Sequence, residues 1–160
     1  MKLAITPTEG AIIGCGLLAG LIVAAAMPQP RPLDYRERTA CLSKVKQLSL
    51  GTLLYADDYD SRWPISQGWM DEVRPYLKTE ELYHCPQLKQ DEYGYAMIAK
   101  LGGQKTPSEK APKTVLLFET TLRGRSASGT LATRDCRHEG RSMIGYADGH
   151  AKAIEKEKAP

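Results

Sequence analysis

Apolar and polar positions along this chain fall into three regimes. Residues 11–27 (AIIGCGLLAGLIVAAAM) carry no charge, at the short end of the roughly 17–25 apolar residues that cross a bilayer as a helix. From Asp34 the pattern turns amphipathic. Leu42, Val45, Leu48, Thr52, Tyr55 and Tyr59 recur at three- and four-residue steps, with Lys44, Lys46, Asp57 and Asp60 largely off that stripe, which predicts one long helix packed on its own domain. Beyond Trp63-Pro64 the signals shorten. Trp69, Val73, Tyr76 and Leu77 predict a brief helix over 68–78, with Pro75 inside it. Residues 86–112 hold Gly94, Gly102, Gly103, Pro107 and Pro112 and read as loop and short elements. Residues 114–119 (TVLLFE) read as a strand and 123–130 (RGRSASGT) as an exposed loop. Near the end, two strand candidates, 142–147 and 150–154, flank Asp148-Gly149, which predicts a hairpin with a two-residue turn. The fold class expected is α+β: a transmembrane helix, then a domain whose long amphipathic helix packs on a small antiparallel sheet.

The domain organisation follows from that pattern. A short tail (1–10) precedes the transmembrane helix (11–27), a proline-rich linker (28–33), the domain (34–154) and a charged tail (155–160). The amino end admits three readings. It is a retained anchor, a cleaved signal ending at Ala24-Ala25-Ala26, or a lipoprotein signal at Cys15; the retained anchor is carried forward because the basic start is weak and the apolar run long for a signal. Arg31, Arg36 and Arg38 after the span favour a cytoplasmic carboxyl side by the positive-inside rule, which is weak for long translocated domains.

Composition adds little and excludes one class. The chain has 160 residues and a formal net charge of +3, enough for one domain with one core. Charge of mixed sign without an arginine–aromatic cluster speaks against nucleic-acid binding. Among Cys41, Cys85 and Cys136, an oxidising compartment would pair two and leave one over.

The most specific motif is His138-Glu-Gly-Arg-Ser-Met-Ile-Gly-Tyr-Ala-Asp148-Gly149-His150, with Arg137 before it. Upstream come Cys41 with Lys46-Gln47, Tyr55-Ala-Asp57-Asp-Tyr59 with Pro64, Trp69 with Pro75-Tyr76, Cys85-Pro86, Tyr93-Gly94-Tyr95, and Pro112 with Leu117. In that order, the pattern from Cys41 to Lys152 resembles the bacterial prepilin-like, type II secretion pseudopilin-like proteins with a carboxy-terminal H-X9-DG domain. The resemblance implies a non-catalytic structural or interaction subunit at the bacterial inner membrane, single-pass, its carboxyl-terminal domain in the periplasm or outside. The implied partners are other membrane or pilin-like subunits and the lipid bilayer. It also implies a Cys41–Cys85 disulfide stapling the long helix to the loop on it. The amino end departs from the family: Cys15 stands where a prepilin has its fifth-position glutamate, and Glu9 lies before the cut.

Candidate chemistry is sparse. His138, Asp148 and His150, with His84 as a fourth, are donor types that suit zinc, but they lack a compact ligand pair. The structural reading is preferred: Asp148 bonds its own backbone in the turn, and His138 bonds to that turn. Asp57-Asp58-Tyr59-Asp60 lacks EF-hand spacing. No phosphate loop, G-x-S-x-G elbow or H-E-x-x-H occurs, and nothing activates Ser142 beside His138 and Asp148. The expectation is no enzyme, no cofactor and no metal. The alternatives are an accessory subunit docked on another membrane complex by its transmembrane helix, and a metal- or ligand-binding periplasmic domain.

Overall fold

The computed structural model describes residues 33–107 and 111–156. The expected tail 1–10, the apolar segment 11–27 with Cys15, the linker up to residue 32, and residues 157–160 lie outside them. Helix α1 runs Leu33–Asp58. Helix α2, Trp69–Val73, continues as a 3-10 turn, Arg74–Tyr76. Pro75 is accommodated in the first positions of that turn, where no N–H is required. Five strands follow: β1 Tyr95–Ile98, β2 Val115–Glu119, β3 Ser128–Gly129, β4 Arg141–Tyr146 and β5 Ala151–Glu155. They form one sheet in the order β3-β1-β2-β4-β5.

The sheet is buried on both faces at its centre, which separates two apolar clusters. Toward α1 face Tyr95, Met97, Leu117 and Met143, packed with Val45 and Leu48 of the helix. The opposite face carries Ala96, Ile98, Phe118, Ile144 and Tyr146, covered by Leu131 and Ile154. Leu116 is buried as well, because the β2–β4 register shifts between Val115 and Leu117 and turns it to the helix side.

Helix α1 touches the sheet through small side chains. Its buried positions are Cys41, Val45, Leu48, Ser49, Gly51, Thr52 and Ala56, so the stripe is rotated from the one the sequence predicts. Leu42 and Tyr55 are half-buried at its edge, and Tyr59 is 52% exposed. The rotation has a steric cause. A Cβ on Gly145 of β4 would overlap Ser49 Oγ and stand 3.0 Å from Val45 Cγ1, so only a small residue on each side allows the helix this close.

Several expectations are corrected. The sheet is mixed rather than antiparallel, since β3 pairs parallel with β1. β1 and β3 fall in stretches that read as loop. In β1 every residue is buried, so no period of two marks it, and β3 has only two residues. The membrane-spanning expectation is also corrected: among the described residues no helix is long and apolar enough to cross a membrane. Helix α1, long enough, carries charges from Arg36 to Asp58. The single-pass inner-membrane placement expected from that span is corrected with it.

The two-residue turn expected at Asp148-Gly149 is a longer loop. Tyr146 N–H donates to His150 O at 2.9 Å and Gly149 N–H to Tyr146 O at 2.9 Å. Within this loop only Gly149 takes a positive φ, +85°. That is the pattern of a β-turn followed by a left-handed glycine that returns the chain to the ladder.

The Gly145–Ser49 contact gives a direct test. Gly145→Ala is expected to destabilise the domain by about 1–3 kcal/mol through overpacking, and Gly145→Ala/Ser49→Ala to recover most of that loss, since Ser49 Oγ has no hydrogen-bond partner. Urea unfolding measures both; an unchanged midpoint for Gly145→Ala defeats this account of the helix–sheet approach.

Candidate functional site

The chemistry-bearing side chains converge where the first half of α1 crosses the sheet. Cys41 lies one turn before Val45 on the buried side of α1. Alternation along β2 puts Glu119 on the same face as Leu117, toward the helix. Cys85 follows a 3-10 turn, Glu80–Tyr83, whose Tyr83 is fully buried, packs edge-on against Trp69 and donates its hydroxyl to Met70 O at 2.7 Å. Lys44, on α1 beside Cys41, holds this segment down by donating to Glu81 O and His84 O, each at 3.0 Å.

His138 is delivered by a tight turn. Its N–H donates to Arg141 O at 3.3 Å and Arg141 N–H returns to His138 O at 3.0 Å. Between them Glu139 and Gly140 both take positive φ, +50° and +76°, the signature of a two-residue primed hairpin turn. The turn type expected at Asp148-Gly149 is therefore present nine residues earlier by sequence, ahead of β4.

These segments bring Cys41, Cys85, Glu119 and His138 together, with one donor atom of each lying within 4.8 Å of all the others. All are sealed: exposure is 0% for Cys41, Glu119 and His138 and 2% for Cys85. The two sulfurs stand 2.9 Å apart, both as free cysteines. His138 Nε2 lies 3.0 Å from Glu119 Oε1 and 3.7 Å from Cys85 Sγ. Glu119 Oε2 accepts the Met143 backbone N–H at 2.8 Å. Arg137, its side chain 8% exposed, approaches Asp135 at 3.2 Å and donates to Thr120 O at 2.8 Å.

Protonation inside the cluster is strongly coupled. The hydrogen bond from Cys41 outweighs burial and, with His138 and Arg137 nearby, draws Cys85 down to about 4. Cys41, hydrogen-bonded to Cys85 and buried, is pushed far above the ordinary thiol range. Burial works against the charged form of His138, yet its hydrogen bonds to Cys85 and Glu119 win and hold it at about 9. Burial raises Glu119. The arrangement is a buried cysteine and a buried glutamate sharing one imidazole nitrogen.

A cysteine, a histidine and a carboxylate invite comparison with a nucleophile triad, but the geometry differs. A triad uses one imidazole nitrogen toward the nucleophile and the other toward the acid. Here Nε2 faces both Cys85 and Glu119, so the ring offers no relay between them, and the thiol is only 2% exposed. The cluster instead has the donor types of a metal centre.

The residues proposed from sequence are divided. His138 enters the cluster; Asp148 and His150 do not. Asp148 accepts from His150 N–H at 3.1 Å and from the His150 ring, which closes the loop locally, and His150 stacks on Tyr146. His138 therefore does not bond to that turn, as expected, but to Glu119 across the sheet. His84 turns away to Glu92 O at 2.9 Å. Sequence reasoning missed Glu119; its one signal was a carboxylate ending an otherwise apolar strand. No family model, curated protein or solved structure matches the chain, so the likeness to prepilin-like proteins rests on the residues of the signature.

Two tests probe the cluster. His138→Ala strips a buried carboxylate of its partner and is expected to cost about 3–5 kcal/mol, with Glu119→Gln in the same chain recovering part of it; equal loss in the single and double variants by urea denaturation refutes the coupling. Alkylation of the folded, reduced chain should modify the half-exposed Cys136 and spare Cys41 and Cys85, read by peptide mass; rapid labelling of Cys85 in native protein contradicts the sealed geometry.

Proposed function

We propose that the chain is a pseudopilin-like structural subunit that acts by packing against other pilin-like proteins and performs no catalysis. The observation that carries this reading is the use made of the reactive side chains. Cysteine, histidine and glutamate from separate segments close on one another inside the core, where they join α1, the Cys85 segment, β2 and the approach to β4, and none meets solvent. An open cleft of about 440 Å³, lined by Lys100, Lys113, Thr130 and Leu131, contains neither an acid nor a nucleophilic thiol.

Helix α1 presents two apolar side chains outward. Leu50 and Leu54, one turn apart on α1, are 43% and 51% exposed, and Leu50 borders the Gly149 loop. Exposed leucines spaced like this are the side chains a helix uses to meet a partner. A photo-crosslinker at position 54 of the full chain, expressed in its own cells, tests the reading. Adducts to a second copy or to one defined pilin-like chain are expected, and Leu50→Glu should abolish them while the thermal unfolding curve stays in place. Adducts scattered over many unrelated proteins, or none at all from a folded chain, overturn it.

A further inference from the structure

We propose that Cys41, Cys85, Glu119 and His138 form a buried zinc site, each supplying one ligand atom. The donor set is the first argument. Two thiolates, an imidazole and a carboxylate are the ligands zinc takes in closed tetrahedral sites. Convergence is the second: the donor atoms lie within 4.8 Å of one another, though the residues are spread from position 41 to position 138. Zinc–ligand bonds of 2.0–2.3 Å in a tetrahedron place neighbouring donors about 3.3–3.8 Å apart. The Cys85 Sγ–His138 Nε2 separation of 3.7 Å already matches. The sulfur pair at 2.9 Å and the Nε2–Oε1 pair at 3.0 Å reach that range by opening less than about 1 Å.

The surroundings are those a metal centre needs. Glu119 Oε2 is occupied by the Met143 N–H, which orients the carboxylate and leaves Oε1 for the ion, as outer-shell partners do. Charge balances too. Zinc at +2 with two thiolates and one carboxylate leaves −1, and the Arg137 guanidinium, enclosed beside Glu119 and Cys85, supplies +1. A disulfide between Cys41 and Cys85 accounts for two of the converging groups. Zinc accounts for all of them, including why a histidine and a glutamate are sealed against the same two sulfurs.

The site differs from the His138, Asp148 and His150 set that the sequence suggests, and experiment separates them. The full chain is purified, reduced with a phosphine and stripped with a chelator, then titrated with zinc(II) against a chromophoric competitor and, separately, with cobalt(II). The expected result is one zinc per chain, and a cobalt form with the visible bands of a tetrahedral ion and thiolate charge-transfer absorption. Cys85→Ser, Glu119→Gln and His138→Gln should each weaken zinc binding by more than the roughly 10–100-fold that losing an outer-shell partner costs. Asp148→Asn and His150→Ala should leave it unchanged. Should the ligand variants fail to fold, the wild-type cobalt spectrum alone decides. A reduced, folded wild-type chain that takes up neither metal overturns the proposal, as does a Cys41–Cys85 disulfide whose reduction creates no zinc affinity. Loss of zinc in the Asp148 and His150 variants alone overturns the assignment of ligands.

Discussion

The closeness with which α1 lies across β4 and β2 governs the rest of the molecule. A helix on a sheet stands at a distance set by the side chains between them, and here Ser49 and Val45 lie against Gly145. Lowering the helix onto the sheet removes the room that larger residues would fill. It lets Cys41 reach across to the end of β2 and to the Cys85 segment. Larger contact residues would part the layers, and the buried cluster would lose its helix-borne member before any of its other parts changed.

That contact also explains why polar groups can be tolerated so deep. A buried carboxylate or thiolate is costly without partners, because the interior cannot replace water around the charge. Glu119 is met by the His138 ring and the Met143 N–H, and Cys85 by Cys41 and His138. The groups therefore support one another, and each belongs to a different stretch of chain. Removing one leaves the others exposed to the same penalty, so the cluster ties local geometry to global stability. Lys44 and Tyr83 serve it from outside by holding the Cys85 segment to α1 and to α2.

The sheet divides the domain by chemistry as well as by face. Its helix side carries the polar cluster, while the opposite side holds Phe118, Ile144 and Tyr146 without a charged group among its buried members. The signature stretch from His138 to His150 spans β4 from end to end. Its histidine reaches into the cluster at one end, and its Asp-Gly closes the hairpin loop at the other. One motif thus serves two separate places, which is why spacing along the sequence suggested a single site at the turn.

The sequence by itself determined the elements whose signals are local. Apolar spacing set the long helix, the β-rich runs set β2, β4 and β5, and Asp-Gly marked a loop between the last two. Tertiary structure decided what depends on distant neighbours. β1 is hidden because both its faces are buried, and β3 because parallel pairing with β1 makes it a strand where its own residues do not. The helix stripe turned toward Ser49 because its fit with Val45 to Gly145 outweighs the hydrophobicity of Leu42 and Tyr55. His138 found Glu119 rather than Asp148 because a primed turn at Glu139-Gly140 aims it across the sheet. Glu119 could be read as a charge closing an apolar strand, but only the packed layers show that it points inward, to two sulfurs and a ring nitrogen brought from elsewhere in the chain.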